Sequence, residues 1–149
     1  MGIAALITWL LTAGGGFVLL GTWISKGGVR QPGSTHLPPP VLFAHFLLAA
    51  AGLIVWIVYL VVDSDVLAWI AFGLLIPVAL LGFFMLIRWL PVYRSRITAT
   101  AATTPAVGAT AVQPEPAEKH FPVAIVGGHG VFAVATVVLV LLTALGVGG

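Results

Sequence analysis

Four apolar runs, Ile3 to Ile24, Val41 to Val62, Val66 to Leu90 and Pro122 to Leu145, leave this chain few folds to choose from. Each is long enough to cross the roughly 30 Å hydrocarbon core of a bilayer, which takes about 20 largely apolar residues in a helix. Composition agrees, because the chain is 60% hydrophobic and 7% charged, whereas a soluble domain carries about 25% charge. The expected fold is an all-α membrane protein, a four-transmembrane-helix bundle forming a single membrane domain over residues 1–149. Its helices are expected at about 3–24, 41–62, 66–90 and 122–145, with a linker over about 91–121. The first run lacks the basic flank of a secretory signal and is long enough to span, so it counts as a helix. The pattern for amino-terminal myristoylation fails at Leu6.

Loop charges orient the bundle. Lys26 and Arg30 lie between the first two runs, and Arg88, Arg94, Arg96 and Lys119 lie at the end of the third or after it. Asp63 and Asp65 occupy the opposite turn, between runs two and three. The positive-inside rule makes the basic side cytoplasmic and puts both termini on the non-cytoplasmic side. An integral, multi-pass protein of a bacterial cytoplasmic membrane is the expectation. A net charge of +2 from so few groups implies no nucleic-acid partner. With no cysteine, disulfides, thiolate metal sites, iron–sulfur clusters, covalently attached c-type haem and cysteine catalysis are excluded.

The loops carry no soluble catalytic motif, whether Walker A, Rossmann glycines or His-Glu-x-x-His. Ser25 to Pro39 is punctuated by Gly27-Gly28, Pro32-Gly33 and Pro38-Pro39, while Thr98 to Pro116 is rich in Ala, Thr and Pro and reads as a mobile linker. Trp23, Trp69 and Trp89 read as interfacial anchors, Trp9 and Trp56 as packing residues, and Pro77 as a kink. His36 has no assigned role.

Two histidines stand out inside the runs. His45 lies five residues past Pro40 and His129 seven past Pro122, each opening a His-x-x-x-Ala-x-Ala pattern. On parallel helices their depths differ by roughly 3 Å. Ionisable groups at such depth are costly and mark functional sites. The face of His45 continues through Ala49, Gly52 and Trp56, and that of His129 through Ala133 and Thr136. Gly127, Gly128 and Gly130 flank His129, and Gly14-Gly15-Gly16 lies at mid-membrane in the first run. Two neutral imidazoles at matched depth with small neighbours suit the axial pair of a b-type haem, so His45 and His129 are expected to ligate haem iron. Gly128, Gly130, Ala49 and Ala133 would leave room for the porphyrin, and Arg88 would pair with a propionate. The shared pattern also hints at a duplicated helical hairpin.

In helix pattern alone the chain resembles small four-helix b-type cytochromes and small anchor or accessory subunits of respiratory complexes. The expected function is electron transfer through haem b, exchanging electrons with quinone or with a redox partner or complex subunit on the cytoplasmic face. Membrane lipid is the other expected partner, and a stand-alone enzyme is the less favoured role. The alternative is a cofactor-free accessory subunit in which the histidines are polar packing residues.

Overall fold

The computed structural model describes residues 1–30, 33–101 and 115–147. Four α-helices account for most of them: α1 (Gly2–Ser25), α2 (Pro39–Val62), α3 (Asp65–Ala101) and α4 (Val123–Ala144), with one 3-10 turn at Ala117–His120 before α4. No strand occurs among the described residues. All four helices are long and apolar enough to cross a membrane. Their outward faces are apolar too, with Leu10, Phe17, Leu47, Ile54, Leu80, Ile87 and Val131 exposed, as suits a bundle whose solvent is lipid.

Local chemistry sets the helix ends. Pro39 and Pro40 open α2, where a fixed φ and a missing N–H cost nothing because the first helical N–H groups have no partner anyway. Asp63 closes α2 in the left-handed region (φ 54°, ψ 47°), with its N–H bonded to the Tyr59 carbonyl. Asp tolerates that conformation better than most residues. Asp65 then starts α3 with an acidic side chain at the positive end of the helix dipole.

The third helix outruns its apolar stretch. It was expected to end at Leu90 and instead continues to Ala101, through Pro77 and Pro91. Pro91 removes one backbone bond, but the turns around it are held by packing. Trp89 and Val92 are buried, and Trp89 stacks on Tyr93 at 5.0 Å between ring centres. The linker therefore begins later than expected. Its stretch over 102–114 lies outside the described residues.

The helices form a ring in chain order. The α2–α3 and α1–α4 pairs pack most closely, α3–α4 and α1–α2 less so, and the diagonal pairs make no backbone contact. The parallel helices α2 and α4 are thus diagonal rather than adjacent. Two apolar clusters fill the ring. One, near the Asp63 turn, contains Trp9, Trp56, Ala71, Leu75 and Val140. The other, near the basic loops, contains Trp23, Leu37, Leu42, Trp89 and Phe121. Trp23 and Trp89 are buried in this second cluster instead of standing as belt anchors. Along α2, His45 falls between Leu42 of one cluster and Trp56 of the other. Along α4, His129 falls between Val126, packed on one cluster, and Val140 of the other.

Candidate functional site: a histidine pair across the bundle

The two imidazoles meet across the diagonal. Their ring centres are 6.3 Å apart and their planes are inclined at 54°. Each ring is anchored by the helix beside it. His45 Nδ1 lies 2.9 Å from the Val78 carbonyl of α3, and His129 Nδ1 lies 2.8 Å from the Thr12 carbonyl of α1. A carbonyl only accepts, so each Nδ1 carries a hydrogen and donates it. In the neutral ring that leaves Nε2 with its lone pair. A metal-ligating histidine is commonly held in this way, with one nitrogen tied to backbone and the other free to coordinate.

Glycines make the approach possible. A Cβ on Gly16 would lie 3.2 Å from His129 Cε1, one on Gly15 would lie 3.3 Å from His129 Cβ, and one on Gly82 would lie 3.3 Å from His45 Cε1. In each half the ring bonds a carbonyl whose position i+4 is the glycine: Thr12 and Gly16 on α1, Val78 and Gly82 on α3. A larger residue there would push the ring off its acceptor.

The other residues expected at the site are arranged differently. Ala49 and Ala133 are half-buried one turn beyond their histidines. Gly128 is half-buried and Gly130 exposed, and a Cβ on either would meet nothing within 4 Å. The small residues that touch the imidazoles are therefore Gly15, Gly16 and Gly82. The first two belong to the glycine run visible in the sequence. Gly82 was missed, although a glycine between Leu80-Leu81 and Phe83-Phe84 was its signal. Arg88, expected beside a propionate, is engaged elsewhere. Its Nη1 donates to the His36 carbonyl at 3.3 Å, and its guanidinium carbon sits 5.2 Å from the Phe84 ring centre.

A second polar cluster was not foreseen at all. Glu118, fully buried, ties the 3-10 turn to the α1–α2 loop. Its Oε2 accepts from the Thr35 hydroxyl at 2.8 Å, and its Oε1 accepts from the His36 backbone N–H and from His36 Nδ1 at 3.0 Å. Thr35 Oγ1 in turn accepts from Trp23 Nε1 at 2.9 Å and from the Leu37 N–H at 3.0 Å. Trp89 Nε1 donates to the Glu118 carbonyl at 3.1 Å, and Ala117 N–H to the Ser34 carbonyl at 2.8 Å. This latch joins residues more than 80 positions apart, and Glu118, three residues after Glu115 in a polar loop, gave no local signal of it.

Among the described residues no group of three or more histidines and carboxylates is placed to hold a bare metal ion. Comparison with known proteins finds no matching family model, curated protein or solved structure.

Proposed function

We propose that this chain is a small membrane electron-transfer protein, or a subunit of a larger respiratory assembly, that holds one b-type haem between His45 and His129. The separation of the two rings carries the proposal. A metal bonded to two imidazole nitrogens at about 2.0 Å, with about 1.1 Å from each nitrogen to its ring centre, would need centres about 6.2 Å apart. The imidazole centres are 6.3 Å apart. Two protein ligands are too few for a zinc site, whereas a porphyrin brings its own four equatorial nitrogens. The carbonyls of Val78 and Thr12 orient the rings. The apolar clusters on either side keep water away, and burial is one of the levers on a haem potential. Haem supplies the one-electron chemistry, while the chain supplies ligands, orientation and a dry surround. Ala49, Ala133, Gly128 and Gly130 leave bulk out of the neighbourhood.

The six basic residues near one end of the bundle and Asp63 and Asp65 at the other favour a cytoplasmic position for the basic loops and both termini outside. In a bacterial cytoplasmic membrane the haem would then lie on the cytoplasmic side, exchanging electrons with quinone or a docked partner subunit. The test is an oxidised and a reduced optical spectrum of purified protein given haemin. A Soret band and a b-type reduced spectrum are expected, both lost in the His45→Ala/His129→Ala variant. A protein that takes up no haem, or a double variant that keeps it, overturns the proposal.

One observation favours a second reading. The same two hydrogen bonds staple α2 to α3 and α4 to α1, a purely structural role that polar packing residues can fill. A colourless protein that co-purifies only within a larger membrane assembly would identify a cofactor-free accessory subunit.

A further inference from the structure

At the basic end of the bundle, between the α1–α2 loop and the far end of α3, lies an open cleft of about 1210 Å³. Arg30, Arg88 and Lys119 line it together with the imidazole of His36, and no carboxylate lines it among the described residues. The cations are unequally engaged. Lys119 Nζ pairs with Glu115, and Arg88 gives one nitrogen to the His36 carbonyl. The Arg30 side chain has no partner among the described residues, although its backbone N–H bonds the Gly27 carbonyl. The latch behind the cleft is rigidly bonded, since Glu118 fixes His36 and Thr35 from the buried side. The walls between the charges are apolar: Leu37, Ile87 and Val92.

From this arrangement we infer a binding site for the phosphate headgroup of an anionic phospholipid. Charge selects an anion, because Arg30 and Arg88 face the cleft with no carboxylate partner among the described residues, while Lys119 shares its charge with Glu115, and such a surplus favours phosphate over a zwitterionic headgroup. Position selects a lipid over a soluble phosphate. Ile87, which lines the cleft, continues a stripe of exposed apolar residues along one face of α3 through Phe83, Leu80 and Ile76. The spacing of three and four residues keeps these side chains on one side of the helix. An acyl chain can lie along that stripe while its phosphate sits among Arg30, Arg88 and Lys119. The site does not rest on the haem proposal, and the two can fail separately.

The test is native mass spectrometry of the full chain released from nanodiscs of equimolar phosphatidylglycerol and phosphatidylcholine. Phosphatidylglycerol should be retained in preference. That preference should fall about fivefold for each cation removed in Arg30→Gln and Arg30→Gln/Lys119→Gln, and should persist in Arg30→Lys/Lys119→Arg. Should the double variant misfold by circular dichroism, Arg30→Gln alone carries the test, since that side chain has no partner among the described residues to lose. Equal retention of the two lipids, or an undiminished preference in Arg30→Gln, overturns the inference. Displacement of phosphatidylglycerol by an equal concentration of soluble glycerol phosphate also overturns it, in favour of a soluble anion.

Discussion

Replacing Glu118 by glutamine puts an amide nitrogen where the structure supplies only donors. The Thr35 hydroxyl has both lone pairs engaged, by Trp23 Nε1 and the Leu37 N–H, so its own hydrogen is committed to Glu118 Oε2. The other carboxylate oxygen receives two further donors from His36. A carboxamide can satisfy His36 with its one oxygen, but its NH2 then faces the Thr35 hydroxyl donor to donor. A hydrogen bond to a charged group contributes about 1.5–3 kcal/mol, so Glu118→Gln should destabilise the protein by about 2 kcal/mol. Glu118→Ala loses all three bonds. The exposed His36 ring recovers water and Thr35 can turn to the Leu37 carbonyl, 3.4 Å away, which holds the cost to about 3–4 kcal/mol. Unfolding in mixed detergent micelles, followed by circular dichroism, measures both. A double-mutant cycle with Thr35→Val is the sharper form. Valine removes the opposing donor, so Glu118→Gln should cost about 1 kcal/mol less in that background. Wild-type stability of Glu118→Gln, or strict additivity in the cycle, would refute the assignment of the Thr35 hydroxyl as a donor to Glu118.

Other expectations follow from the same packing. Gly28→Ala places a Cβ 2.3 Å from Cε2 of the buried Trp23 ring, an overlap with a rigid neighbour that should cost about 1–3 kcal/mol in the same unfolding assay. Gly82→Leu should displace the His45 imidazole, and in haem-loaded protein should shift or abolish the Soret band while leaving far-UV circular dichroism unchanged; Gly73→Leu, with nothing within 4 Å of its Cβ, is the control. Trp56→Phe loses the bond from Nε1 to the Gly2 carbonyl and should destabilise by about 1 kcal/mol. The Lys119 ammonium, hydrogen-bonded to Glu115, holds that carboxyl below the usual carboxylate range. Whatever stability it adds is present above the unfolded carboxylate pKa of about 4.3 and lost as pH falls through the folded value. Since Glu115 is fully exposed, Glu115→Gln should leave the midpoint at pH 7 unchanged and slightly flatten the acid limb of the stability curve.

The four helices were legible because lipid enforces a length and a composition that a single sequence displays directly. The α2–α3 turn was legible from Asp63 and Asp65 for the same reason. The end of α3 was not. Pro91 and Arg94 look like a helix stop, and only the stacking of Trp89 on Tyr93 and the burial of Val92 explain why the helix runs on. His45 and His129 were legible because charge at depth is rare, and loop charges alone made their helices parallel. Their ring separation depended on a diagonal packing that no local pattern encodes. Gly128 and Gly130 attracted notice by lying next to His129 in sequence, yet neighbours on a helix point about 100° apart, and the contacts come from Gly15 and Gly16 on another helix. Glu118 was hidden by its ordinary setting, an acid in a polar loop, whose burial follows from the fold of a loop 82 residues away.

The matched surroundings of the two histidines bear on the hint of a duplicated hairpin. The carbonyl-and-glycine unit that receives His129 is Thr12 with Gly16, and the one that receives His45 is Val78 with Gly82. Exchanging α1 with α3 and α2 with α4 carries each unit, each ring and each closely packed helix pair onto its counterpart. The sequence alone offered only His and Ala matches between α2 and α4. The structure adds an equivalent pair of positions on α1 and α3, where the residues share nothing beyond the glycine. What is repeated is a geometry: a ring that needs an acceptor, and a helix that offers one only where a side chain is missing. That requirement acts on both halves alike, so a single His45→Ala or His129→Ala change removes one of two equivalent staples.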